Sequence, residues 1–304
     1  MKETRPIDLN NFTGQEKIKK QLNITIKAAL QNNESHQHAI FYGNAGLGKT
    51  TLARILATEM GARCYSITAP AIKSKKELAN VLLRLENKDI LFIDEIHRLK
   101  IDIEEMLYLP IEDFICDISV GLGQYQRYIQ KKLPKFTLIG ATTIMGNLSK
   151  PLRDSFQLSF NLQYYTDTEL KSIINKNAVK IGAAITQEQA QKIAARARGT
   201  PRIANNIFNQ AMSICGYKEL TSDSLEKAFA ILEIDENGLK TADIKYLKCL
   251  AASSRAVGLG AIAATINESR NTIEEVIEPF LLYNNYCIRQ SNGRVITEKG
   301  LFYK

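Results

Sequence analysis

The chain has 304 residues, of which 45% are hydrophobic, enough for two or three domains with buried cores and too apolar for a disordered chain. Forty Lys and Arg against 32 Asp and Glu leave a net charge of +8, a balance that suits a polyanionic partner without requiring one. The five cysteines, at 64, 116, 215, 249 and 287, form no Cys-x-x-Cys pair, so neither a disulfide framework nor a zinc cluster is expected, and the expected compartment is a reducing cytosol.

In chain order, the N-terminal segment is polar and lacks the apolar stretch of a secretory leader. Residues 15–30 carry a helical stripe at Ile18, Leu22, Ile26 and Ala29 or Leu30, and residues 39–42 read as a short buried strand. His36 and His38 have no carboxylate or Cys at ligand spacing, so they read as solvated loop and strand-start histidines. Further strands are expected over 63–67, 89–93 and 136–141, alternating with helices over 75–85 and 103–114. Such alternation predicts an α/β fold with a parallel sheet covered on both faces. Residues 116–134 alternate apolar and polar types around glycines, which predicts a projecting β-hairpin.

After Tyr165 the texture changes. Residues 166–236 hold helical stripes and no convincing strand, with nine Lys or Arg against nine Asp or Glu, and predict a small all-helical domain. Asn237-Gly238 supplies turn residues for a boundary. From 241 three helical segments precede two β-rich runs flanking Asn292-Gly293, the strongest short hairpin signal, and together they predict a winged helix. Residues 239–304 hold nine basic and six acidic residues, 9 − 6 = +3. The uncharged run 256–267 is well short of the roughly 20 residues that span a bilayer, so no membrane segment is expected.

The chemistry-bearing motif is Gly43-Asn44-Ala45-Gly46-Leu47-Gly48-Lys49-Thr50, a G-x-x-x-x-G-K-[ST] loop between a predicted strand and a predicted helix. Its backbone N–H groups can cradle phosphates, Lys49 suits the β and γ phosphates, and the Thr50 hydroxyl can ligate Mg²⁺. Four apolar residues then end in Asp94 and Glu95, which a strand would carry to the same sheet edge. Asp94 would hold the metal, and Glu95 would orient or deprotonate the attacking water. Thr143, at the end of the 136–141 strand, is the hydroxyl expected at γ phosphate or water.

The ordered set of this glycine loop, "FIDEIHRL", "TLIGATT", "PLRD" and "RGTPRIAN" resembles the AAA+ ATPases. Within them, "RPIDLNNFTGQE", "LYLPIEDF" and "EPFLLYNNYCIRQ" are similar to the RuvB family of Holliday-junction branch-migration motors. The resemblance spans nearly the whole chain. It implies a P-loop AAA+ ATPase domain over 1–165, a helical lid over 166–238 and a DNA-binding winged helix over 239–304. It further implies ATP and Mg²⁺ as cofactors, a homo-oligomeric, hexameric ring on duplex and four-way junction DNA, and RuvA as partner.

By the same resemblance Thr4, Arg5 and Tyr165 flank the nucleotide, with Gly46, Gly48, Lys49, Thr50 and Thr51 around its phosphates. Glu112, Asp113 and Phe114 are further ATP contacts, and Arg202 is the lid arginine. Leu122, Tyr125 and Tyr128 on the hairpin are the candidate RuvA contacts, exposed apolar groups on a projecting hairpin being suited to a partner. Arg289 and Arg294 match the family's phosphate-contacting positions on the wing.

Three departures stand out. The family's "PLRDRF" reads Pro151-Leu152-Arg153-Asp154-Ser155-Phe156 here, so Ser155 replaces the arginine finger, and weak turnover is expected, since a finger is worth about 10³ or more in rate. Asn44 and Ala45 replace two prolines and are expected to loosen the loop. The wing lacks a Pro and a central Arg, which predicts reduced DNA affinity. Ser155 also sustains an alternative function, an AAA+ ATP-binding assembly module with weak hydrolysis; a clamp-loader-like protein fits the terminal winged helix less well.

Overall fold

A computed structural model describes residues 5–120, 127–217 and 219–303. They fall into two units, 1–165 and 166–304. The first unit runs α1 (Glu16–Gln31), β1 (Ala39–Tyr42), α2 (Lys49–Glu59), β2 (Cys64–Thr68), α3 (Lys75–Leu82), β3 (Ile90–Asp94), α4 (Ile101–Glu105), α5 (Tyr108–Glu112), β4 (Ile115–Val120), β5 (Arg127–Lys132), β6 (Thr137–Thr142), α6 (Lys150–Ser155) and β7 (Leu158–Asn161). Five strands form one wholly parallel sheet in the order β2-β3-β6-β1-β7. Its central strands are largely apolar because helices bury both faces: Ile90 to Ile93 and all of β6, Thr137 and Thr142 included, are inaccessible.

This topology sets the site. β6 lies between β1 and β3, with Tyr42 paired to Thr142 and Ile93 to Gly140. The three segments that leave the carboxyl ends of these strands are therefore neighbours, where open α/β sheets bind ligands.

Four local expectations need correction. β7 was not anticipated, because its alternating burial reads weakly over four residues. The single helix expected over 103–114 is two short ones, α4 and α5, broken at Met106 and Leu107. His36 and His38 are buried rather than solvated. His38 Nδ1 accepts from the Leu138 amide at 2.8 Å and Nε2 faces the Ile111 carbonyl at 3.0 Å, so the ring pins α5 to the sheet. Burial lowers its pKa to about 4, and the ring is neutral near pH 7.

The fourth correction lies in the wing. The second unit begins with four helices, α7 (Asp167–Ile181), α8 (Gln187–Arg196), α9 (Pro201–Ile214) and α10 (Ser222–Ile231). Thr166 and Thr186 close capping boxes at α7 and α8. α11 (Thr241–Ala251), α12 (Leu259–Ile266) and α13 (Arg270–Thr272) follow, then a π-helical turn Ile273–Ile277, α14 (Glu278–Tyr283) and the hairpin β8 (Cys287–Gln290) and β9 (Gly293–Ile296). Gln290 pairs with Gly293, so the turn is Ser291-Asn292, one residue earlier than expected. Gly293 instead opens the strand at φ 150°, where a Cβ would stand 2.6 Å from the Val257 carbonyl oxygen. That close approach lets Val257 and Arg294 exchange two 2.9 Å hydrogen bonds and adds a third segment to the wing. No helix among the described residues is long and apolar enough to cross a membrane.

Candidate functional site: a nucleotide site at the strand ends

The glycine loop leaves β1, and α2 opens directly on Lys49 with no side chain capping its first amides. Those amides, with the helix's partial positive charge, form an anion-binding end. Lys49 is buried, and its Nζ donates to the carbonyls of Gly43 at 2.6 Å and Asn44 at 3.0 Å. The ammonium is thus held over the loop by the loop's own carbonyls. A Cβ at Gly48, whose φ is 107°, would stand 3.1 Å from Phe12 Cζ and 3.6 Å from the Tyr165 hydroxyl. Tyr165 is buried and donates to the Leu47 carbonyl at 3.0 Å. The resemblance placed Tyr165 here; Phe12 was missed, since a lone aromatic in a polar leader carries no pattern.

The acidic pair meets this loop. The Thr50 hydroxyl donates to Asp94 Oδ2 at 3.1 Å, and the Glu95 amide donates to Asp94 Oδ1 at 3.0 Å. Glu95 sits at φ 54°, ψ 39°, a left-handed conformation uncommon for a non-glycine residue and frequent at functional turns. Thr50 and Asp94 offer converging oxygens, the donor set of a hard divalent cation whose other ligands are phosphate and water.

At the end of β6, Thr142 is fully buried and Thr143 half-buried. The Thr142 hydroxyl lies 2.9 Å from His97 Nδ1, which links the end of β6 to the turn after the acidic pair. Arg5 is exposed and lines a shallow depression with Thr51, Arg54 and Thr58 on α2. Thr4 lies outside the described residues.

Glu112 closes α5 beside Ser155, whose hydroxyl donates to the Pro151 carbonyl at 2.9 Å with the Glu112 carboxylate at 3.5 Å. Ser155 is buried. Asp113 is exposed, while Phe114, at φ 55°, turns its ring against His38 and Phe136. Arg202 is exposed in the first turn of α9, in the second unit. Leu122 and Tyr125 lie outside the described residues; Tyr128 is on β5, paired with Ser119.

In the wing, Arg289 and Arg294 converge on Glu278, which has no accessible surface. Arg289 Nε donates to Glu278 Oε2 and Arg294 Nε to Oε1, both at 2.8 Å, with the Tyr246 hydroxyl on Oε1 at 2.9 Å. Arg294 also reaches Glu274 at 3.1 Å. Burial pushes the Glu278 carboxyl up, but hydrogen bonds from Arg294, Arg289 and Tyr246 outweigh it and hold the pKa below its ordinary value.

Known proteins match this whole arrangement. Residues 4–162 match the family model of the Holliday junction DNA helicase RuvB P-loop domain, 165–235 that of the RuvB AAA lid domain, and 236–303 that of the RuvB C-terminal winged helix domain. The chain belongs to the RuvB family. It is 47% identical to the Holliday junction branch migration complex subunit RuvB of Campylobacter fetus, over 97% of this chain and 87% of that protein. The identity to RuvB of Helicobacter pylori is also 47%, over 97% of this chain and 89% of that protein. The solved Thermotoga maritima RuvB branch migration motor superposes with a TM-score of 0.87 at 38% identity, covering 99% of this chain and 97% of that one. No likeness supports the RuvB-fold chain being a non-motor assembly module, a reading that rested on Ser155 alone.

Proposed function

We infer that this RuvB-family ATPase drives branch migration of Holliday junctions in recombination and repair, as the ATP-hydrolysing subunit of a complex with RuvA. One observation carries the reading. The glycine loop, Lys49, Thr50 and the Asp94-Glu95 pair meet at the carboxyl ends of β1 and β3, the two strands that flank β6, with the Thr50 hydroxyl and the Asp94 carboxylate 3.1 Å apart. Loop amides and Lys49 bind the triphosphate, and Thr50 and Asp94 hold Mg²⁺, which supplies charge neutralisation at the phosphates. Glu95 accepts a proton from the attacking water.

Tyr165 and Arg5 flank the nucleotide. Glu112, with Ser155 beside it, belongs to the face that meets a neighbouring protomer in a hexameric ring. The wing arginines contact phosphate without reading sequence, and the β4–β5 hairpin carries the RuvA contact.

The test is branch migration of a synthetic four-way junction with RuvA, ATP and Mg²⁺. Wild type is expected to dissociate the junction. Lys49→Ala is expected to lose ATP retention and at least about 10³-fold in turnover, the scale of losing a phosphate-stabilising cation. Retention and turnover unchanged in Lys49→Ala would remove the nucleotide site, and hydrolysis without migration would remove the motor.

A further inference from the structure

His97 follows the acidic pair by two residues and takes no part in the assignment above. Its ring is nearly buried and touches both sides of the site: Nε2 lies 3.5 Å from Glu95 Oε2, and Nδ1 lies 2.9 Å from Thr142 Oγ1. Thr142 Oγ1 also accepts from the Ile144 amide at 3.0 Å. These contacts decide the tautomer. With a proton on Nδ1, the Nε2 lone pair would face a carboxylate; with the proton on Nε2, the ring donates toward Glu95 and accepts the Thr142 hydroxyl proton. The second arrangement satisfies every group.

The turn that carries His97 is also packed onto β6. Ile96 covers Gly140 so closely that a Cβ there would stand 3.2 Å from Ile96 Cδ1. The left-handed Glu95 is consequently fixed at its backbone by Ile96 and at its carboxylate by His97. Both ties end on the strand whose last residues face the loop.

We propose that His97 is a positioning residue for hydrolysis: through Thr142 it couples the end of β6 to the orientation of the Glu95 carboxylate. This rests on the assignment of Glu95 to the attacking water. The 3.5 Å approach of His97 to Glu95 is one that tightens as a catalytic complex forms. Loss of His97 then lets the carboxylate rotate away from the water while leaving the phosphate cradle intact, so turnover falls and nucleotide affinity does not.

The experiment compares steady-state ATP hydrolysis of the full chain, assembled on duplex DNA, in five variants. His97→Asn keeps the Thr142 contact and cannot reach Glu95; it is expected to lower kcat roughly 10- to 100-fold with KM for ATP within about twofold. Thr142→Val, which removes the other anchor, is expected to do the same, and the pair together to be no worse than either alone. Thr142→Ser restores the hydroxyl and is expected to recover the rate, which also separates loss of the contact from loss of folding. Glu95→Gln is the control. If Glu95→Gln abolishes turnover while His97→Asn and Thr142→Val stay within twofold of wild type, or if they raise KM at unchanged kcat, the His97 coupling is overturned alone. If Glu95→Gln leaves turnover intact, the assignment of Glu95 itself falls.

Discussion

Lys49 and the two wing arginines are the cations on which the proposed activity depends, and all three are engaged within the chain, but with different kinds of partner. Lys49 donates to two backbone carbonyls of its own loop. These are dipoles whose hydrogen bonds a phosphate oxygen can replace with charge-assisted ones, a favourable exchange. Arg289 and Arg294 are paired to a carboxylate with no access to water, and withdrawing both would leave a buried charge unpaired, at a cost of about 3–5 kcal/mol. The two carbonyl bonds of Lys49 are therefore exchangeable for bonds to phosphate, whereas the wing arginines are tied to Glu278 and offer DNA the N–H groups that it does not use. Arg289, 46% exposed, has such groups to give; Arg294, at 13%, has few.

The largest expected effect follows from the fixed partner. Glu278→Ala should destabilise the second unit by about 3–5 kcal/mol, read as a shift of its urea midpoint, because Arg294 is left largely buried without its carboxylate. A change under about 1 kcal/mol would show that the arginines reach solvent without penalty, and the contrast with Lys49 would vanish. The pH dependence has a definite sign. Since the folded carboxyl has a depressed pKa, its stabilisation is complete above the unfolded value of about 4.3 and is lost as pH falls through the folded value.

Smaller in effect, and sharper as a discriminator, is the response to DNA. Arg289→Ala is expected to weaken binding to duplex DNA roughly tenfold at moderate salt and to reduce the slope of log affinity against log salt by about 1. Arg294→Ala should act mainly on stability. Equal changes in slope from both variants would mean that Glu278 releases the two alike.

This difference between the cations bears on what the sequence could disclose. The glycine loop, the strand-end carboxylates and the hairpin at residues 287–296 are patterns of neighbours in the chain, set by backbone geometry, and they are where the structure puts them to within a residue. Glu278 lies 11 and 16 residues from its arginines, and His97 meets Thr142 across 45. Contacts of that span depend on tertiary register and leave no local period. The same holds for His38, whose burial comes from strands and a helix far from it in the chain.

The finest test concerns how Lys49 is held. Asn44, in place of a proline, was expected to loosen the loop; instead its side chain donates to the Tyr164 hydroxyl at 2.5 Å, while its carbonyl accepts from Lys49 at 3.0 Å. One residue thus ties the loop to the chain after β7 and the ammonium to the loop. A proline would restrict φ and keep the carbonyl but could not make the side-chain tie. Removing that tie costs about 1 kcal/mol, the net worth of one neutral hydrogen bond. It acts on the loop alike in the ground and transition states, so Asn44→Ala is expected to raise KM for ATP roughly fivefold with kcat nearly unchanged. Tyr164→Phe should reproduce it, and the double variant should add nothing further. If kcat falls instead, the tie sets the position of Lys49 during hydrolysis, and Lys49 is then less free to exchange its partners than the comparison with the wing requires.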